Sequence, residues 1–135
     1  MLMGDLLTLV QHKLPVKVVV FDNGSLGLFE MGMKAAGLLE PGVTLVNPDF
    51  AAMARAAGLF AQRVNDPADL ADAARAVLAH DGPALLDVVT ARQELAMPLK
   101  IGAKQAAGFS LWVAKAVLDR RGTEVVDLAR TNLLR

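Results

Sequence analysis

The chain has 135 residues, 54% of them hydrophobic, which is enough for one compact core and too few for two ordinary domains. Its 14 basic and 14 acidic residues cancel, so the long-range field that would gather a nucleic acid is absent. With no cysteine there is no disulfide framework and no thiolate metal site, in keeping with a reducing cytoplasm, and no stretch approaches the roughly 18 unbroken apolar residues of a membrane span.

Residues 3–14 carry helical spacing, with Leu6, Leu7, Val10 and Leu14 on one face and Pro15 as the stop. Residues 16–21, VKVVVF, are a short β-branched run of the kind a strand covered on both faces requires. After a turn, residues 26–39 return to helical spacing, weakened by Gly32 and Gly37. Asn47, Pro48 and Asp49 supply a cap, a first-turn proline and an acid for the helix dipole, and Gly58 closes that segment. Residues 60–64 read as a second strand. Asp66, Pro67 and Asp69 then open a helix whose stripe is Leu70, Ala73, Ala74, Val77 and Leu78, and residues 85–90 read as a third strand.

The order α, β, α, α, β, α, β implies an α/β fold, a parallel sheet with helices on both faces. Residues 92–108 break that alternation with Pro98, two lysines and no clear period, and are read as an excursion over the surface. Residues 109–120 and 123–134 form a helical tail divided by Gly122. The expected organisation is therefore an α/β domain over 1–91 followed by an excursion and helical tail over 92–135. A doubly wound domain ordinarily opens on a strand, whereas this chain opens inside a helix. The expectation is that the first strand lies outside it, in a larger polypeptide or a partner.

The turn after the first strand, FDNGSLG, concentrates the candidate ligands. In an open parallel sheet, ligands sit beyond the carboxyl ends of the strands. Asn23 offers a neutral oxygen, Gly24 and Gly27 let backbone approach a ligand closely, and the helix starting near Leu26 presents free N–H groups to an anion. Hard oxygen donors beside such a helix start suggest a magnesium diphosphate. Asp-Asn-Gly is also an ordinary turn sequence, and the residues alone leave both readings open.

The stretch KLPVKVVVFDNGSLG resembles the second half of the thiamine diphosphate binding motif, in which a helix, LPV and a β-branched strand lead to paired asparagines. Further along, DFAAMARAAG, DGPALLDVVTARQELAMP and AAGFSLWVAKAVLDRRGTEVVDLARTNLLR resemble the C-terminal domain of the bacterial pyruvate oxidases that reduce quinone. The resemblance implies thiamine diphosphate and Mg²⁺, with FAD in the complete enzyme, and conversion of pyruvate to acetate and CO₂. It implies that Asn23 gives the metal its side-chain oxygen and Ser25 its backbone carbonyl, with Gly24, Leu26, Gly27 and Leu28 beside the cofactor. Asp22 stands where the first asparagine of the pair usually is. The motif's metal-binding aspartate is expected upstream of Met1: Asp5 is only 18 residues before Asn23 and falls in the helix that follows that motif. Partners implied are the pyrimidine-binding and FAD domains and further copies of the chain, without nucleic acid.

Leu28 is read either as a cofactor-lining side chain or as a core leucine, and Glu30 as a solvated residue of the following helix. His12 and His80 are read as structural or surface residues. The last helix, with Val125, Ala129 and Leu133 on one side, either docks on protein or lies peripherally on the inner membrane. Two other readings stay open: another enzyme of the superfamily, such as acetolactate synthase or a 2-oxo acid decarboxylase, and a self-association module that buries its sheet edge against copies of itself.

Overall fold

In a computed structural model that describes residues 3–39, 42–94 and 102–133, the three β-rich runs form strands β1 (Lys17–Asp22), β2 (Phe60–Val64) and β3 (Ala84–Val89). All pair in parallel, in the order β1-β3-β2; Lys17 and Phe60 both lie opposite Ala84 and Asp22 lies opposite Val89. The helices are α1 (Asp5–Gln11), α2 (Gly27–Ala35), α3 (Phe50–Ala56), α4 (Leu70–Ala79), α5 (Ala103–Leu118) and α6 (Gly122–Leu133), with one 3-10 turn, Pro67–Asp69, leading into α4.

The chain divides into two compact units, residues 1–22 with 47–90 and residues 23–46 with 91–135. The first contains the sheet. Leu6 of α1 and Ala51 and Ala54 of α3 close on Leu59, Ala61 and Leu85, while Ala73 and Val77 of α4 close on Val64, Ala84, Leu86 and Val88. Successive residues of the central strand β3 thus enter opposite cores, which is why ALLDVV shows no polar alternation. The α/β reading, with helices on both faces of a parallel sheet, holds. His80 stacks on Phe60 with ring centroids 4.7 Å apart, and His12 is exposed, as structural and surface residues would be.

The second unit is helical. Trp112 and Ala116 of α5 and Leu128 of α6 are buried together, with Met31 of α2, Phe109 and Val125 packed around them. Leu128 and Val125 of α6 thus pack on α5. Among the described residues, no helix is long and apolar enough to cross a membrane.

Two expectations change here. First, α2 ends at Ala35, because Gly37 takes φ +74° and the N–H groups of Gly37 and Leu38 turn back to the carbonyls of Lys34 and Met33. Second, part of the stretch read as a surface excursion is built into the fold: α5 begins at Ala103, and Gln93 is buried. Of its opening residues, AKQAAG, the first five are exposed and show no apolar period, and Gly108 makes the packing contact. A Cβ on Gly108 would lie 2.1 Å from the Ala35 carbonyl oxygen, so the α2 backbone rests directly on this glycine. Pro98 and Lys100 lie outside the described residues.

Candidate functional site

Asp22 ends β1, and the bend that follows is fixed mainly by backbone. Asn23 Oδ1 accepts the Ser25 N–H at 3.0 Å, closing an Asx turn around Gly24, whose φ of +62° is one that a β-carbon disfavours. Ser25 then forms an antiparallel bridge with Thr44, made by Leu26 N–H to the Val43 carbonyl and Leu45 N–H to the Gly24 carbonyl, each 2.9 Å. In that pattern Ser25 and Thr44 face each other as a non-hydrogen-bonded pair, and the Ser25 carbonyl is left out of the ladder.

The sequence-predicted residues fall together. Helix α2 starts at Gly27, and Leu26 gives its first turn no side-chain cap. Asn23 lies close beside Gly27: a Cβ there would be 3.0 Å from Asn23 Nδ2. One lone pair of Asn23 Oδ1 is used by Ser25, leaving another for a ligand. A free peptide oxygen, an amide oxygen and uncapped helix N–H groups form a donor set that fits a divalent cation carrying an anionic diphosphate. Among the described residues, no cluster of three or more His, Cys, Asp or Glu side chains could hold a metal on its own.

Leu28 is 78% exposed, so it is not a core leucine. With Phe29, Gly32, Met33, Ala36 and Leu38 it lines an open apolar groove of about 260 Å³ along α2.

The larger correction is Glu30, which is buried, with only 1% of its surface exposed. Its Oε1 accepts from Lys34 Nζ at 2.8 Å, and its Oε2 accepts from the Ser25 hydroxyl. Lys34 is itself fully buried, donates to Gln93 Oε1 at 2.7 Å and lies 4.7 Å over the Trp112 ring. Gln93 Nε2 and Arg92 Nε reach the carboxylate at 3.2 and 3.4 Å, and Arg92 also donates to the Thr44 hydroxyl. Burial by itself would raise the Glu30 carboxyl, but the hydrogen bonds from Lys34 and Ser25, with the charges of Lys34 and Arg92, outweigh it and hold the group below its ordinary 4.5. Sequence reasoning missed this network, although the i,i+4 spacing of Glu30 and Lys34 was a usable signal.

In the sheet unit, Asp22 is also held. Its Oδ1 accepts from Asn47 Nδ2 at 2.7 Å, its Oδ2 from Arg63 at 3.4 Å, and its carbonyl from Thr90 N–H at 2.9 Å. Arg63 also pairs with Asp87, which is fully buried. Burial tends to lower the guanidinium, while the Asp87 hydrogen bond and the charges of Asp87, Asp22 and Asp49 raise it overall. The negative charge that Asp22 brings is thus matched within its own unit.

A family model described as thiamine pyrophosphate enzyme, C-terminal TPP binding domain, matches residues 1–88. The chain is 34% identical over 131 residues to YdaP of Bacillus subtilis, whose name describes a thiamine pyrophosphate-containing protein, covering 97% of this chain and 23% of that one. It is 30% identical over 123 residues to the mitochondrial acetolactate synthase catalytic subunit of Aspergillus candidus, covering 90% and 18%. To the chloroplastic acetolactate synthase of Arabidopsis thaliana it is 34% identical over 104 residues, covering 70% and 16%. The chain thus spans less than a quarter of the length of these relatives.

Proposed function

Since this chain belongs to the thiamine pyrophosphate enzyme family through its C-terminal TPP-binding domain, we propose that residues 23–28 grip the magnesium diphosphate end of thiamine diphosphate. Asn23 Oδ1 and the Ser25 peptide oxygen would be two of the roughly six oxygens that Mg²⁺ takes. The diphosphate, water and an acidic residue elsewhere in the enzyme complete the set. The N–H groups at the start of α2 face the diphosphate charge, and the small residues Gly24 and Gly27 let it approach. When bound, the cofactor supplies a carbanion-stabilising ylid, and the residues of this chain bind and orient it.

The enzyme so served acts on a 2-oxo acid, and acetolactate synthesis is the reading favoured by the relatives named for it. Oxidation of pyruvate with FAD and quinone is the second reading, supported by the likeness of the tail sequence. In either case the pyrimidine-binding domain and further copies of the chain are the partners, and the cytoplasm, with peripheral membrane contact in the second reading, is the place. The observation that carries the proposal is the geometry of the bend, in which the Asn23 amide oxygen and the ladder-free Ser25 carbonyl sit beside an uncapped helix start.

Adding Mn²⁺ and thiamine diphosphate to the ¹⁵N-labelled chain at NMR concentrations tests it, because paramagnetic broadening registers even weak occupancy. Broadening centred on residues 23–28 and lost in Asn23→Ala is expected. Broadening centred elsewhere, or unchanged in that variant, refutes the assignment. For the complete enzyme, acetolactate formation against quinone reduction from pyruvate separates the two reactions.

A further inference from the structure

The Ser25 carbonyl is a useful ligand only if it is aimed, and its peptide plane is held on one side by the Leu26 N–H, which bonds the Val43 carbonyl at 2.9 Å. The residue opposes Thr44 without exchanging hydrogen bonds with it, and its N–H is used by the Asn23 side chain. What fixes Ser25 from the other side is its hydroxyl, donated to Glu30 Oε2. We propose that Glu30 is a positioning residue: through the Ser25 hydroxyl it sets the direction of the Ser25 peptide oxygen, and residues of the C-terminal segment hold Glu30 in place. The inference rests on the reading of residues 23–28 as the metal-diphosphate grip.

The chain of contacts runs entirely within one compact unit. Glu30 is held by Lys34, Gln93 and Arg92. Lys34 sits on Trp112 of α5, and Asn132 of α6 donates to the Gln93 carbonyl at 2.7 Å. A carboxylate accepting this many donors is fixed in orientation far better than a lone surface glutamate. A buried ion pair of this kind is weak evidence of stabilisation, because two apolar residues of similar volume would serve as well. Setting a neighbouring group is the use the geometry supports: of the two Glu30 oxygens, Oε2 takes the one donor that belongs to the bend.

The test uses the full chain and needs no ligand. Hydrogen exchange of the Ser25 and Leu26 amides is compared with exchange of the β3 amides, which report the sheet unit. Ser25→Ala is expected to speed the two bend amides at least about tenfold, the worth of a hydrogen bond to a charged group, while the β3 amides stay as they are. Ser25→Thr, which keeps the hydroxyl, is expected to restore protection. The double substitution Glu30→Met/Lys34→Met, which keeps the volume and removes the acceptor, is expected to expose the same two amides. Wild-type exchange in Ser25→Ala, or failure of Ser25→Thr to restore protection, overturns the proposal. With Mn²⁺ and thiamine diphosphate, Ser25→Ala should also raise the apparent Kd about tenfold. If even the wild-type bend takes no Mn²⁺, the cofactor reading falls, and the exchange comparison still decides whether Glu30 orders the bend.

Discussion

Replacing Lys34 with methionine tests the buried pair most directly. The ammonium of Lys34 lies 2.8 Å from Glu30 Oε1 and 2.7 Å from Gln93 Oε1, with Trp112 beneath it. Removing one partner of such a pair leaves a buried charge and costs about 3–5 kcal/mol. Arg92 remains 3.4 Å from Oε2 with a side chain 37% exposed, so the lower end, about 3 kcal/mol, is expected. That is a large share of the roughly 5–15 kcal/mol that holds a domain folded. Glu30→Met alone strands the ammonium at similar cost. The double substitution Glu30→Met/Lys34→Met strands no charge and loses chiefly the neutral partners Ser25 and Gln93, at about 1 kcal/mol each. Urea unfolding at neutral pH with unchanged m-value should therefore show a coupling of at least about 2 kcal/mol between the two sites. A Lys34→Met cost below about 1 kcal/mol, or additivity within about 0.5 kcal/mol, would refute the reasoning.

Three further outcomes are expected. Because the folded Glu30 carboxyl lies below its ordinary 4.5, its contribution is complete above that pH and is lost as pH falls through the folded value; the deficit of Lys34→Met relative to wild type should therefore narrow as pH falls through that range, as urea unfolding at a series of pH values would show. Arg63→Met leaves Asp22 and Asp87 without their shared cation and should cost about 3 kcal/mol at neutral pH, the low end for a pair whose arginine is 26% exposed; urea unfolding measures it, and a cost below about 1 kcal/mol would count against it. Gly27→Ala should separate folding from binding: alanine favours the helix by up to about 1 kcal/mol, yet its Cβ would sit 3.0 Å from Asn23 Nδ2, so thermal stability should hold or rise while Mn²⁺ broadening at the bend declines.

Much of the fold was legible because local chemistry and tertiary structure agree. The β-branched run after Pro15, the acids and proline before α4 and the all-apolar third strand each specify their element, and the parallel order follows from the alternation. Asn23, Gly24, Ser25 and Gly27 were legible for the same reason: an Asx turn between a strand and a helix is written in adjacent residues.

What the sequence by itself could not settle is which charged residues are inside. Glu30 and Lys34 carry the i,i+4 spacing of an ordinary exposed pair, and only the packing of α5 and the return of Gln93 place them in the interior. Arg63 and Asp87 stand in different strands, and their pairing needs the register that puts β2 beside β3. The start of α5 is the same case, since Gly108 gains its meaning from the α2 backbone that it admits. Sequence fixes what depends on neighbours along the chain. Burial of charge depends on partners brought together from 24 to 63 positions away, and only the tertiary structure decides those.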